Sequence, residues 1–179
     1  MALVSGGNSG IGGTAVVWLC SDGAALVVGT ALYKVFTGFD FKPSTSDLEF
    51  VVLIGYLSTT TLKAGYGYWA QVDLPNGAII SEVTYYVVDN GDTNDMKLGL
   101  YSVRLSPLQF DSYIDSSSIG LPSSPNDQIK TFAVNVTVDN NLRRYYLRVE
   151  STLATTAHKV AGARIAYSVP TTFLPAVNR

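Results

Sequence analysis

The chain has 179 residues, 47% hydrophobic and only 15% charged, with a net charge of −2 at pH 7; that suffices for one buried core and leaves no basic run as a nucleic-acid footprint. One cysteine, Cys20, and one histidine, His158, exclude an internal disulfide and any metal site built from several cysteines or histidines. No stretch reaches the roughly 18 uninterrupted apolar residues of a membrane-spanning helix and no basic segment of a secretory signal opens the chain, so membrane insertion is not expected.

Residues 1–30 admit two readings. Ala2-Leu3-Val4 followed by Ser5-Gly6-Gly7-Asn8-Ser9-Gly10-Ile11-Gly12 resembles the first strand and glycine-rich loop of the short-chain dehydrogenase/reductase family. That resemblance implies a dinucleotide phosphate held by the backbone amides of residues 5–12. The family's Tyr-x-x-x-Lys pattern occurs nowhere in the chain, and alternating βα units do not follow. The favoured reading is therefore a Gly/Ser-rich arm leading into two strands, residues 14–19 and 24–30, turned at Ser21-Asp22-Gly23.

From residue 31 onward the pattern is β. Residues 32–36 and 39–41 alternate as short strands, Pro43 interrupts them, and the apolar run 49–57 is expected as one continuous strand, buried on both faces or covered by a neighbour. A threonine-rich connection, residues 58–64, leads to two strands, 66–74 and 78–89, joined by Leu74-Pro75-Asn76-Gly77. Pro75 presets φ and Asn76-Gly77 tolerate positive φ, so a hairpin is expected there. The strand 96–105 follows, then a Ser/Pro/Asp-rich surface loop, 106–128, with one short strand near 109–114.

Residues 129–138 form the next strand, Asp139-Asn140-Asn141 a turn, and residues 144–150 alternate cleanly. Tyr145, Leu147 and Val149 fall on one face, and Arg144, Tyr146, Arg148 and Glu150 on the other. In the last strand, 160–169, Ala161, Ala163, Ile165, Tyr167 and Val169 are expected inward and Arg164 outward, before Pro170 ends it. About ten strands with scant helical periodicity predict an all-β, antiparallel β-sandwich, with jelly-roll topology favoured by the long connections. The expected division is an N-terminal arm or extra strands (1–30), the sandwich (31–170) and a tail (171–179).

Several blocks occur in order: Phe39-Asp40-Phe41-Lys42-Pro43, residues 69–78 (WAQVDLPNGA), residues 85–89 (YYVVD), Val138-Asp139-Asn140-Asn141 with Tyr145-Tyr146-Leu147-Arg148, and residues 162–167 (GARIAY). Together they resemble jelly-roll-like domains of bacterial and phage surface, fibre and filament proteins. The resemblance implies a structural or adhesive, self-associating head and brings no catalytic residue.

Candidate sites follow from residue type. The apolar arm, with Val16, Val17, Trp18, Leu26, Val27 and Val28, would add a strand to a neighbouring copy. Tyr66, Tyr68 and Trp69 form an aromatic set suited to stacking on sugars; alternation puts Trp69 on the opposite face from the two tyrosines. Likewise one member of each pair Tyr85/Tyr86 and Tyr145/Tyr146 is expected inside and one outside. Asp89, Asp92, Asn94 and Asp95 could offer oxygen ligands to calcium, although a turn explains the same composition. His158 is expected in an exposed polar turn, and Asn135-Val136-Thr137 is a formal glycosylation sequon within a strand.

The expected function is a non-enzymatic structural subunit, self-assembling in a virion, fibre or extracellular filament. The alternatives are a carbohydrate-binding or adhesive surface module and a dinucleotide-binding oxidoreductase fragment. Expected partners are further copies of the chain and glycans; no cofactor is expected apart from the calcium alternative.

Overall fold

A computed structural model describes residues 15–16, 29–44, 46, 50–53, 55–59, 66–90, 96–116, 126–151 and 158–170. In chain order the strands are β1 (Ala15–Val16), β2 (Gly29–Thr30), β3 (Leu32–Thr37), β4 (Lys42–Pro43), β5 (Phe50–Leu53), β6 (Tyr56–Thr59) and β7 (Tyr66–Val72). They continue with β8 (Ile79–Asp89), β9 (Met96–Leu105), β10 (Leu108–Ser116), β11 (Gln128–Thr137), β12 (Arg143–Ser151) and β13 (His158–Ser168). A 3-10 turn, Gly38–Asp40, separates β3 from β4.

The strands form an antiparallel sandwich. A front sheet runs β10-β9-β12-β7-β4, and a back sheet runs β11-β8-β13-β6-β5, with β3 also on the free side of β13. From β7 onward the chain repeatedly changes sheet, which is the jelly-roll habit the long connections implied. The alternation read for β12 holds: Tyr145, Leu147 and Val149 are buried with Ala70, Val72, Leu98 and Leu100 of the front sheet against Val83, Tyr85, Ala163 and Ile165 of the back. Each of the large aliphatic side chains so buried contributes about 1.5–3 kcal/mol relative to exposure. The Tyr85 hydroxyl crosses the core and donates to the Gly99 carbonyl at 2.6 Å, so this polar tip is satisfied by the opposite sheet.

Four expectations are corrected. Residues 66–74 and 78–89 are not a hairpin: β7 pairs with β12 and β4, whereas β8 pairs with β11 and β13. Leu74-Pro75-Asn76-Gly77 turns the chain, but as a corner between sheets. The corner is held from outside, because Gly77 N donates to Val138 O (2.8 Å), Asn140 N to Asn76 Oδ1 (2.8 Å) and Asn140 Nδ2 to Leu74 O (2.7 Å). The second crossing, from β11 to β12, thus supplies the partners of the first.

The apolar run 49–57 is two strands, β5 and β6, reversed at Gly55 (φ 85°), and Phe50, Val51 and Val52 are exposed at the sheet edge. A positive φ there is reached at little cost only by glycine. Residues 39–41 contain the 3-10 turn rather than a strand, because Asp40 accepts from Thr37 N (2.6 Å) and Thr37 Oγ1 (2.9 Å) and winds the backbone. Within residues 106–128 the strand expected near 109–114 is longer, since β10 pairs with β9 from Leu108 to Ser116.

Of the N-terminal strands, only the antiparallel pairing of β1 with β2 is described, Ala15 opposite Thr30 and Val16 opposite Gly29. Ser5–Gly12 and the side chains of the expected assembly set lie outside the described residues.

Candidate functional site

The period-2 alternation that buries one face of the front sheet turns the other face outward. On that face β7 presents Trp69 and Gln71, β9 presents Tyr101 and Val103, and β12 presents Tyr146 and Arg148. The register sets Trp69 opposite Arg148, and Tyr146 between Gln71 and Tyr101. Trp69 therefore meets Tyr146 edge-to-face, with centroids 5.9 Å apart and planes at 84°, and Tyr101 at 5.8 Å and 53°. These are favourable aromatic geometries.

Arg148 lies over both rings, 5.1 Å from the Trp69 centroid and 5.7 Å from that of Tyr101, and pairs with Glu150 on its own strand. Cation–π contact and ion pair together fix the guanidinium. Gly99 faces Arg148 across the ladder. A Cβ at 99 would fall 2.1 Å from Tyr101 Cε2, so the missing side chain is the space the Tyr101 ring occupies.

Hollows adjoin the rings. A cleft of about 480 Å³ is floored by Trp69, Tyr146, Gln71 and Asp73 and walled by Lys34 of β3, Asp40 of the 3-10 turn and Lys42 of β4. Across the Trp69–Tyr146 ridge a hollow of about 210 Å³ is lined by Val103 and Phe110 as well as the two rings. Toward the sheet corner Gln71 and Asp73 also line a polar hollow of about 370 Å³ with Asn140 and Arg144. Because neighbouring hollows share residues, they form one run across the strands of the sheet. The cleft has hydrogen-bonding groups with assigned partners: Gln71 Nε2 donates to Asp73 Oδ1 (2.8 Å) and Lys42 Nζ to the Phe39 carbonyl (3.2 Å).

Of the aromatic set read from sequence, Trp69 lies on this face, Tyr68 is buried in the core and the Tyr66 side chain is outside the described residues. Both tyrosine pairs divide as alternation required: Tyr85 and Tyr145 are buried, while Tyr86 and Tyr146 are half-buried on the outer faces. Tyr101, Gln71, Asp73, Lys34 and Lys42 were not singled out by the sequence. Only the cross-strand register brings them together, and register is not written in any one strand.

The acidic loop is divided. Asp92, Asn94 and Asp95 lie outside the described residues, and Asp89 is a buried β8 residue whose Oδ1 is 3.2 Å from His158 Nε2. His158 is accordingly not an exposed turn residue: it opens β13 directly opposite Asp89, and that register turns both groups inward. Asn135 and Thr137 are exposed on β11 with Val136 buried between them.

No protein-family model matches the sequence, and no curated protein matches it. Solved structures do match the fold. A xylan-binding module described as CBM15 superposes with a TM-score of 0.53 at 10% identity, over 78% of this chain and 99% of that one. The C-terminal family 22 carbohydrate binding module of Clostridium thermocellum Xyn10B gives 0.48 at 12% identity, over 79% and 97%. The C-terminal CBM6 of LamC from Zobellia galactanivorans gives 0.47 at 11% identity, over 75% and 98%.

At these identities the likeness is one of fold, a jelly-roll-like β-sandwich. It nonetheless corrects the expected virion, fibre or filament subunit: the structure that superposes with a TM-score of 0.53 is a xylan-binding module.

Proposed function

We propose that the chain is a non-catalytic carbohydrate-binding module, extracellular or surface-associated, and that residues 31–170 recognise a polysaccharide through the outer face of the front sheet. The observation that carries this reading is the cluster of Trp69, Tyr146 and Tyr101, turned outward from three adjacent strands and bordered by clefts. A pyranose presents apolar C–H faces and polar hydroxyl edges. Rings that are not used in the core, beside Gln71, Asp73, Lys34 and Lys42, match those two surfaces. The shared run of hollows suits several consecutive sugar units better than a single one.

The fold likeness to a xylan-binding module makes xylo-oligosaccharides the first ligands to try. Isothermal titration against xylo-oligosaccharides and a panel of soluble plant, algal and bacterial polysaccharides is expected to yield a ligand. Trp69→Ala should then weaken binding by about thirtyfold or more, as removal of a central aromatic anchor worth about 2 kcal/mol does. The melting temperature should fall by only a few degrees, for the lost contacts with Tyr146, Tyr101 and Arg148. Equal retention of wild type and Trp69→Ala on every ligand would place recognition elsewhere.

A further inference from the structure

Among the described cations three arginines are ion-paired, whereas Lys97, Arg104, Lys130 and Lys159, like the cations of the cleft, have no carboxylate partner among the described residues. Arg143 pairs with Asp111, Arg148 with Glu150 and Arg164 with Glu82. In the run of hollows, Lys34, Lys42 and Arg144 have no carboxylate partner among the described residues. Lys34 Nζ stands 6.0 Å from the Phe36 ring centroid, Lys42 Nζ donates to the Phe39 carbonyl, and Arg144 donates to the carbonyls of Asn140 and Arg143.

The two carboxylates present are turned to their own segments. Asp40 Oδ2 accepts from Thr37 N and Thr37 Oγ1, and Asp73 Oδ1 accepts from Gln71. Lys34 and Lys42 thus balance Asp40 and Asp73 in the cleft itself, and Arg144 of the adjoining polar hollow makes the run of hollows positive by one on a chain whose net charge is −2. Each ammonium has three N–H donors and no acceptor, so Lys42 keeps two after its bond to Phe39. Lys42 is also the register partner of Trp69, which puts unspent donors one strand from the stacking ring.

We infer that the glycan recognised here is acidic, its carboxylate or sulfate ester seated against Lys34 and Lys42 while a sugar ring lies on Trp69. The inference rests on the carbohydrate-binding reading. An anion in a half-enclosed cleft is attracted more strongly than at an open surface, and the attraction falls as salt shortens the screening length to about 8 Å at physiological strength and less above it.

The test is retention of the full chain on glucuronoxylan, polygalacturonan and alginate, each native and carboxyl-reduced, and on a sulfated galactan with its desulfated form. At low salt the acidic member of at least one pair should bind about tenfold more tightly than its neutral counterpart, with the advantage lost at high salt. Lys34→Gln/Lys42→Gln, two exposed positions, should remove that preference; Trp69→Ala should remove binding to both members. A uronate-only preference assigns the anion to a carboxylate, and a galactan-only preference to a sulfate ester. Equal binding of acidic and neutral forms, with both abolished by Trp69→Ala, would overturn the acidic class and leave the carbohydrate reading standing. No retention on any polysaccharide would overturn both.

Discussion

The two sheets obey the same alternation but keep register differently. In the front sheet β12 pairs with β7 and with β9 without a slip, and the slip described there lies outside the pairings among these three strands, between β10 and β9 at Ser112/Ile114. In the back sheet β8 slips against β11 between Ala133 and Val136, and against β13 between Val160 and Gly162 and again between Ala166 and Tyr167. Unbroken register puts Trp69, Tyr101, Tyr146 and Arg148 in adjoining rows, where they touch. On the outer back face Tyr33 and Tyr86 fall in different rows, Tyr33 lying under Arg164 at 5.0 Å. Side chains of similar type thus become a composite surface on one sheet and separate features on the other. Bulges re-aim side chains; a recognition surface spread over three strands needs the places where they are absent.

Breaking the back sheet should have the largest effect. Gly162 has φ 157° at the β13 bulge, and a Cβ there would meet the Phe36 carbonyl oxygen at 2.1 Å, a contact with backbone that no rotamer relieves. Gly162→Ala is expected to destabilise the sandwich by about 3 kcal/mol in urea denaturation. The fraction that stays folded should keep sugar stacking on Trp69, because the register of β7, β9 and β12 is untouched, whereas any preference that depends on Lys34 of β3 should weaken. Loss of affinity without loss of stability would contradict the separation of roles.

Tyr85→Phe joins the two sheets less tightly. It removes the donor to Gly99 O and should cost about 1 kcal/mol or somewhat more at neutral pH. Burial pushes the Tyr85 hydroxyl far above its ordinary value of 10.0, and burial also raises Tyr145. Above about pH 10 the unfolded chain loses protons that the folded one retains, so stability falls as pH rises further. Tyr85→Phe should make that alkaline decline shallower without abolishing it, because Tyr145 remains; an unchanged slope would mean that Tyr85 does not govern it.

The smallest effect is expected at Tyr33, 52% exposed on the outer back face. Tyr33→Ala should shift stability by no more than about 0.5 kcal/mol and leave polysaccharide titrations unchanged. A fall in affinity would move the site to the back sheet.

Faces were legible in the sequence where one strand carried the whole signal. The alternation of β12 gave both its buried set and the outward Tyr146 and Arg148, and the aromatic stretch before Pro75 singled out Trp69. Pairing was less legible. Leu74-Pro75-Asn76-Gly77 specifies a reversal, but whether the chain returns beside itself or crosses to the other sheet is decided by Val138 and Asn140, more than sixty residues later. Gly55 was read through because its neighbours are apolar, and Asp40 because its capping partner, Thr37, belongs to the preceding strand. His158 was placed by its polar neighbours, when its position is set by Asp89 across the ladder. The site was half visible for the same reason: its aromatic centre lies within strands, while Lys34, Lys42 and Asp73 reach it from segments far apart in the chain.

The guanidinium of Arg148, resting on Trp69 and Tyr101 and tied to Glu150, has a consequence for binding kinetics and entropy. A free indole on an open sheet would sample several rotamers and lose that freedom when a sugar settled on it. Here the neighbouring rings and the cation narrow those choices before any ligand arrives. Association should then resemble docking onto a rigid plate, with little slowing from side-chain rearrangement. Affinity differences among glycans should therefore be expressed mainly in how quickly each one leaves.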